Sequence, residues 1–378
     1  MAVNVYVGDA MRILYYDWDE FNGEDCRDAM KRLGHEVETF RDHDDIGKRD
    51  YDCVFSFDYF PEVAEACHEH HSIYVSWVFD CPHYPLYSST ISYEENRIHI
   101  FDKRLCEELK TLGAKHVYHT PLGVNEERLR SLDLTTTPES YMHDVTFLGN
   151  LYDNEFNFFD QALFPDELKD YLEDVIKAQQ LVYGKDIISD NRVIDDSLME
   201  TLRSFIRFED TGKYSVDYDR VILDIIRKKV TVTERRKILE ALGDCFDTTL
   251  YTTPDARPIP GVNCLGLADY NSQMPYIFHN SKININMTFR CIPSGIPLRV
   301  MDVLGSGGFL ITTYQDEIAE YFEEDKDLVI VRSPEEFIEK TAYYLENDDE
   351  RKEIAQSGQK KVFEKFAYTK LLPEVLTL

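Results

Sequence analysis

Met11-Arg12-Ile13-Leu14-Tyr15-Tyr16, a polar turn, the amphipathic stretch Glu24 to Leu33, Gly34, and then His35-Glu36-Val37-Glu38-Thr39-Phe40 form the phrase that decides the fold. A short apolar run followed by polar residues reads as a strand. The spacing of Glu24 to Leu33 is helical, and Gly34 supplies the left-handed residue on which helices commonly close. His35 to Phe40 alternates as a strand does. Parallel strands need a crossover of about a dozen residues or more, so strand, helix and returning strand open a parallel α/β layer.

The same rhythm runs on. Cys53 to Phe57 reads as a strand, Pro61 to His70 as a helix, and Ser72 to Val78 and His99 to Phe101 as strands. Asp102 to Leu112 reads as a helix closed by Gly113, and His116 to His119 as a further strand. This alternation predicts a doubly wound parallel sheet and a first α/β domain over residues 1–140. Thr135 to Ser140 is a polar, proline-containing linker, after which Asp144-Val145-Thr146-Phe147-Leu148-Gly149-Asn150 starts again as strand and glycine turn. A second α/β domain is expected over 141–365.

At about 154–230 that domain is interrupted by apolar residues in helical spacing, among them Leu168, Leu172, Val175, Ile176, Ile222, Ile225 and Ile226, which predict a helical insertion. Thr231-Val232-Thr233-Glu234 reads as a capping box opening a helix that ends at Gly243. Strands follow at Thr248 to Tyr251, Val262 to Leu267, Ile283 to Met287, Phe309 to Thr312 and Leu328 to Val331. Ser333-Pro334-Glu335-Glu336 opens another helix, with Pro at its first position. Helices broken at Gly358 and Pro373 close the chain, and 366–378 is set apart as a terminal helix able to return to the first domain.

With 378 residues there is room for two cores. A formal charge of −30 argues against nucleic acid and anionic lipid as partners, since affinity for polyanions is built from clustered Lys and Arg. The basic runs Arg227-Lys228-Lys229 and Arg235-Arg236-Lys237 are short, lie near acids and read as solvated helix faces. No run of about 18 apolar residues and no apolar leader is present, so no membrane span and a cytoplasmic location are expected. Eight cysteines without a Cys-x-x-Cys pair read as reduced thiols rather than a zinc site. The oligomeric state is left open.

In open α/β sheets, ligands bind beyond the carboxyl ends of strands, where helix N-termini face them. The strand Ile283 to Met287 runs into a loop holding Ser294-Gly295, and that loop feeds a helix beginning near Pro297. Backbone N–H groups at such a start suit a diphosphate, and Arg299 adds positive charge within the first turn. Asp302 lies one turn further on, at a distance that suits a ribose diol. The competing reading makes Arg299 and Asp302 an ordinary surface pair three residues apart. Gly149 is either a close approach to a phosphate or a turn glycine. Tyr270 is either a ring stacked on a base or a core ring. Asn286 alternates with Asn284 and Thr288 along the strand, and at least one of the three is expected to satisfy only local groups.

The first domain should supply the acceptor side and a general base. Asp17 and Asp19, Asp58, and Asp80 and His83 follow successive strands. Asp80 and His83 are favoured because Trp77 and Pro82 exclude water nearby, with Asp17 as a further candidate. Asp17-Trp18-Asp19 also matches an Asp-x-Asp metal pattern, but two-residue patterns arise by chance among 71 acids. No metal ligand is assigned and no cofactor is required; a divalent ion is not favoured. The cluster His68-Glu69-His70-His71 reads as a solvated helix end. There is no G-x-G-x-x-G after the first strand, no phosphate-loop lysine and no G-x-S-x-G elbow, which argues against a dehydrogenase, an NTPase and an α/β-hydrolase.

In their order and spacing, Trp77-Val78-Phe79-Asp80-Cys81-Pro82-His83, Asp144 to Tyr152, Ser281 to Asn286 and Ser294 to Phe309 resemble the GT-B glycosyltransferases, above all the CgeB-like, spore-maturation-protein group. The resemblance covers most of the chain. It implies an α/β GT-B architecture of two Rossmann-like domains facing a cleft, with the helical insertion in the second. It also implies a hexosyltransferase-like enzyme that moves a sugar from a nucleoside-diphosphate sugar, a UDP-sugar foremost, to an acceptor such as a glycan, a protein or a small molecule. The donor would lie against Gly149, Tyr270, Asn286, Ser294, Gly295, Arg299 and Asp302. The related family-4 glycosyltransferases carry a Glu–seven residues–Glu motif; its second position aligns with Asp302, and its first with Ser294, which is not Glu. The alternatives kept open are a nucleotide-sugar epimerase or hydrolase, and a non-catalytic binding or assembly protein of the same fold.

Overall fold

The computed structural model describes residues 10–134, 142–154, 157–207 and 217–378. Contacts divide the chain into two compact units. The first holds the described residues up to Leu132 together with Val362–Leu378, and the second holds the described residues between Asp133 and Lys361.

In the first unit β1 (Arg12–Tyr16), α1 (Gly23–Arg32), β2 (Glu36–Phe40), β3 (Cys53–Phe57), α2 (Pro61–Glu69), β4 (Tyr74–Val78), β5 (Asn96–Ile100), α3 (Lys103–Thr111), β6 (Val117–His119) and α4 (Glu126–Ser131) follow the expected alternation. All six strands are parallel, in the order β2-β1-β3-β4-β5-β6. The central strands β3 and β4 are buried at every position, as a parallel strand covered on both faces must be.

The second unit runs β7 (His143–Leu148), α5 (Phe158–Gln161), α6 (Asp166–Gln180), α7 (Asp196–Phe205), α8 (Tyr218–Cys245), β8 (Thr248–Tyr251), β9 (Val262–Leu265), α9 (Met274–His279), β10 (Ser281–Asn286), α10 (Leu298–Gly305), β11 (Leu310–Thr313), α11 (Asp316–Tyr321), β12 (Val329–Val331), α12 (Pro334–Glu346) and most of α13 (Asp348–Lys365), whose last turn, from Val362, belongs to the first unit. Its parallel sheet has the order β12-β11-β10-β7-β8-β9. The last helix, α14 (Tyr368–Val375), packs Tyr368, Leu371, Leu372 and Val375 against Ile13, Tyr15, Phe55 and Trp77 of the first sheet.

Three sequence expectations are corrected. Thr231 does not open a helix but lies inside the 28-residue α8. Its hydroxyl donates to the Arg227 carbonyl one turn back (3.1 Å), so the residue is satisfied within the helix instead of capping one. Gly358 does not break a helix but sits within α13, where a Cβ would come 2.3 Å from the Asp327 carbonyl oxygen. It is there for close packing. Pro373 likewise lies inside α14.

The basic runs are only in part solvated faces. The first half of α8 packs into the cluster of α6 and α7, through Ile222, Ile225, Ile226 and Val230. Its second half, through Ile238, Leu239 and Leu242, packs into the core of the second sheet. The first residue of each run is therefore drawn inward, while Lys237 stays exposed. Arg227 pairs with Asp186 and Asp224, each at 2.7 Å, and Arg235 is only 7% exposed. Among the described residues no helix is long and apolar enough to cross a membrane.

Candidate functional site

Each sheet reverses its winding once. β1 has β2 on one side and β3 on the other, and β7 has β8 on one side and β10 on the other. At such a switch point the loops leaving two neighbouring strands part to opposite faces and open a crevice at the carboxyl ends. The candidate residues gather at these two places, each within its own unit.

In the second unit the loops after β7 and β10 flank the switch point, and Arg235 from α8 straps them together. Its Nη1 donates to the Asn150 carbonyl (2.5 Å) and its Nη2 to the Met287 carbonyl (2.6 Å). The guanidinium also lies 5.3 Å from the ring centre of Phe147 and 5.4 Å from that of Tyr152. Tyr152 is held in the left-handed region (φ 59°) and stacks on Phe289 with ring centres 4.7 Å apart. Strain of this kind in a non-glycine residue collects at binding sites.

The loop before α10 is clamped from the side of β11 and α11. The Glu317 amide donates to the Ser294 carbonyl (3.2 Å), and the Ser294 hydroxyl donates to the Glu317 carboxylate (2.8 Å). The Gln315 side chain donates to the carbonyls of Ile292 (3.1 Å) and Gly295 (3.5 Å). A trans peptide sets its N–H opposite its C=O. Drawing the Ser294 and Gly295 carbonyls toward Gln315 and Glu317 therefore turns the N–H groups of Gly295 and Ile296 the other way.

Arg299 stands in the first turn of α10, half-buried, with its guanidinium 5.2 Å from the ring centre of Phe278. Its Nε and Nη1 are buried and have no hydrogen-bond partner among the described residues. Burial pushes its pKa down, against the pull of Asp302, Tyr270 and Tyr152. Burial also pushes Arg235 down, against Tyr152 and Glu234, and the charge of Arg299 adds to the depression. Two guanidinium groups thus sit in one poorly solvated place, each made uncomfortable by burial and one by the other's charge. An anion with several acceptor oxygens relieves both.

Other expected donor residues fall around this pair. The Tyr270 hydroxyl donates to Asp302 (2.9 Å), so these two are brought together, and Asp302 is not merely the surface partner of Arg299. Ser294 and Gly295 belong to the clamped loop. Asn286 is buried, and its amide donates to Thr288 (3.1 Å) and Thr312 (2.9 Å), which fastens the end of β10 to β11. The Gly149 N–H donates to the Tyr251 carbonyl (2.9 Å), and a Cβ there would lie 3.2 Å from the Phe147 ring.

In the first unit Asp58 follows β3 with φ 58° and is buried. Its Oδ1 accepts the N–H groups of Phe79 (2.8 Å) and Asp80 (3.0 Å). The Asp58 and Asp80 carboxylates and the His83 ring lie with their polar atoms within 4.8 Å of one another, and His83 Nε2 is 2.8 Å from the Tyr59 carbonyl. Asp80 is exposed as a residue, but its carboxyl faces these neighbours. Loss of solvation there, then the Asp58 charge, pushes its pKa up to about 6, with His83 pulling the other way. Asp17 is not part of this group: its carboxylate faces Arg41 (3.3 Å) and Arg27 (4.0 Å). Arg41 also donates to Asp19 (2.9 Å), so a guanidinium bridges the Asp17-Trp18-Asp19 pair. In the histidine cluster His68 meets Glu95 at 2.8 Å and stacks on Tyr93.

The sequence reading did not single out Arg235, Tyr152, Gln315 and Glu317, which the structure places beside the expected donor residues, and did not favour Asp58, which the structure places against Asp80 and His83. The signal for Arg235 was present: Arg235, Ile238, Leu239 and Leu242 follow i, i+3, i+4, i+7 and share one buried helical stripe.

A family profile described as glycosyl transferase-like matches residues 235–377, which begin at Arg235 and include α10. No functionally curated protein matches the chain in sequence. Among solved structures, Anabaena HepE in complex with UDP-glucose is similar at TM-score 0.54 and 10% identity, over 97% of this chain and 98% of that one. A glycosyltransferase from Rickettsia africae is similar at TM-score 0.51 and 11% identity, over 98% and 97%. A DNA-modifying β-glucosyltransferase, described with and without uridine diphosphoglucose, is similar at TM-score 0.55 and 10% identity, over 97% and 100%. The fold is therefore the α/β GT-B fold of two Rossmann-like domains.

Proposed function

We propose that the protein is a glycosyltransferase, transferring a sugar from a nucleoside-diphosphate sugar, a UDP-sugar foremost, to an acceptor hydroxyl. The observation that carries this reading is the half-buried Arg299, with two nitrogens unpartnered among the described residues, placed with Arg235 at the switch point of the second sheet. UDP-glucose in the Anabaena structure and the glycosyl transferase-like profile support it. The CgeB-like affinity rests on the motifs that carry the resemblance. The second domain, 141–365, would bind the donor. Gly295 and Ile296 N–H groups, Ser294, Arg299 and Arg235 meet the diphosphate, Asp302 and Tyr270 meet the nucleoside, and Gly149 and Asn286 shape the strand ends.

In the transfer, the bond between the anomeric carbon and the diphosphate oxygen breaks. The acceptor oxygen bonds to that carbon, and its proton passes to a base. Positive groups aimed at the departing diphosphate stabilise the charge that develops there. That charge comes from Arg235 and Arg299. The first domain, 1–140, would present the acceptor, with Asp80 as base, His83 beside it and Asp17 further off; 366–378 completes its core. A cytoplasmic setting fits reduced thiols and nucleotide-sugar supply.

Incubation with UDP-, GDP- and dTDP-sugars without acceptor should release nucleoside diphosphate and free sugar slowly, with one nucleotide preferred. An epimerised donor would indicate an epimerase instead, and no binding to any nucleotide in calorimetry would indicate a scaffold. With an acceptor in hand, kcat/KM should rise as pH passes about 6, where Asp80 becomes the charged base. Asp80→Asn should lower kcat/KM about 100-fold and abolish that limb. Asp58→Asn keeps an oxygen for the Phe79 and Asp80 amides but removes a like charge, so it should move the limb to lower pH. A limb unmoved by both substitutions would assign the base elsewhere.

A further inference from the structure

The switch point of the first sheet carries an aromatic surface that the transfer chemistry does not use. The chain has two tryptophans. Trp77 is fully buried, whereas Trp18, in the loop after β1, is 38% exposed. The exposed indole is nevertheless fixed. Its Nε1 donates to the Phe57 carbonyl (3.0 Å), strapping the loop after β1 to the end of β3. Its ring centre lies 5.9 Å from that of Phe60, which packs in turn on Tyr16 at 5.0 Å. Its backbone N–H donates to Glu20 (3.2 Å), and Asp19 beside it takes the left-handed region at φ 67°.

Around the indole stand carboxylates held in place. Arg41 forks across Asp17 and Asp19, and Glu20 accepts the Tyr15 hydroxyl (2.6 Å). Asp58 follows Phe57 directly, and Asp80 faces Asp58. A fixed, exposed indole rimmed by oriented carboxylates suits a pyranose ring. The apolar C–H face of the sugar lies on the indole, and its hydroxyls donate to the accessible carboxylates Asp17, Asp19 and Asp80, while the buried Glu20 and Asp58 hold the loops and add negative charge. The five carboxylates Asp17, Asp19, Glu20, Asp58 and Asp80 outnumber the guanidinium groups Arg27 and Arg41, so phosphate, sulfate and uronate are repelled.

We infer that Trp18 is the platform for an uncharged saccharide acceptor. Its role in transfer rests on the proposed function; the binding of the sugar does not. Because Trp77 is buried away from solvent, a ligand-induced change in emission that disappears in Trp18→Phe reports on Trp18. The wild-type chain is titrated with methyl glucoside, methyl galactoside, methyl mannoside, maltotriose, cellotriose and chitotriose, and in parallel with heparin oligosaccharide and a DNA duplex. A saturable change with at least one neutral sugar, and none with the two anions, is expected. Trp18→Ala should raise the acceptor KM for that sugar about tenfold or more with a smaller change in kcat, and Trp18→Phe should restore much of the loss, as loss and return of a stacking face require. Unaltered UDP affinity in both variants certifies their fold. The inference is overturned if no neutral sugar perturbs the emission, if heparin or DNA does so instead, or if acceptor KM is unmoved in Trp18→Ala. Failure of the wild type to bind UDP would sink the donor reading while leaving the fluorescence result to stand or fall separately.

Discussion

Arg299→Ala is expected to lower kcat/KM for the nucleotide sugar about 1000-fold while leaving the unliganded protein as stable as the wild type or more so. Donors aimed at a developing oxyanion contribute factors of roughly 100 to 1000, and a charged donor in a poorly solvated site belongs at the upper end. The stability half of the expectation separates a working cation from a structural one. Had Arg299 been held by a carboxylate, its removal would strand a buried partner and weaken the fold by several kcal/mol. Instead its Nε and Nη1 are buried without partners among the described residues, and burial depresses its pKa. The folded state therefore carries a desolvation cost that the substitution removes. Thermal denaturation without ligand, beside donor hydrolysis, reads both halves. A large fall in melting temperature together with wild-type turnover would make Arg299 structural and would remove the observation on which the donor site depends.

The strand–helix rhythm was legible because a parallel layer prints a local period, and the segment Ser294 to Asp302 was legible because a helix start is local too. Strand order was not. That β10 lies beside β7, making the second switch point, depends on pairings such as Ser281 with His143, and nothing in the strands' own spacing announces it. Glu317 reaches Ser294 from 23 residues away for the same reason. Where local signals misled, a tertiary contact had won. Thr231 carries the letters of a cap, yet Glu234, the box's other half, is buried against Arg290 at 2.5 Å. Gly358 carries the letter of a break, yet its missing Cβ admits the Asp327 carbonyl. Arg235 was hidden by its neighbours: beside Arg236 and Lys237 it looked like a charge run, and only the helical phase of Ile238, Leu239 and Leu242 shows that it faces inward. The Glu expected at Ser294 by resemblance is absent from the sequence, but Glu317 brings a carboxylate to that residue in space.

Arg235→Met should differ from Arg299→Ala in a way that follows from what each guanidinium touches. Arg235 holds the Asn150 and Met287 carbonyls, and methionine leaves both without that donor, at about 1–3 kcal/mol each. Part of this is offset because a buried charge, itself pressed by Arg299, disappears. A net loss of about 2 kcal/mol is therefore expected in denaturant unfolding, where Arg299→Ala shows none. Turnover should fall at least as far as in Arg299→Ala, about 1000-fold or more, because the loops after β7 and β10 lose their strap as well as a charge. Binding of UDP supplies the decisive comparison. At 100 times its dissociation constant UDP should stabilise the wild type by about 2.7 kcal/mol, and each single variant should lose most of that shift at the same concentration. If both cations grip one diphosphate, the double variant should lose measurably less or more binding energy than the sum of the singles, since each residue's contribution depends on the anion the other has placed. Losses that add within about 0.5 kcal/mol would mean two independent sites. In that case Arg235 would only brace the loops, and the diphosphate would rest on Arg299 and the N–H groups of Gly295 and Ile296.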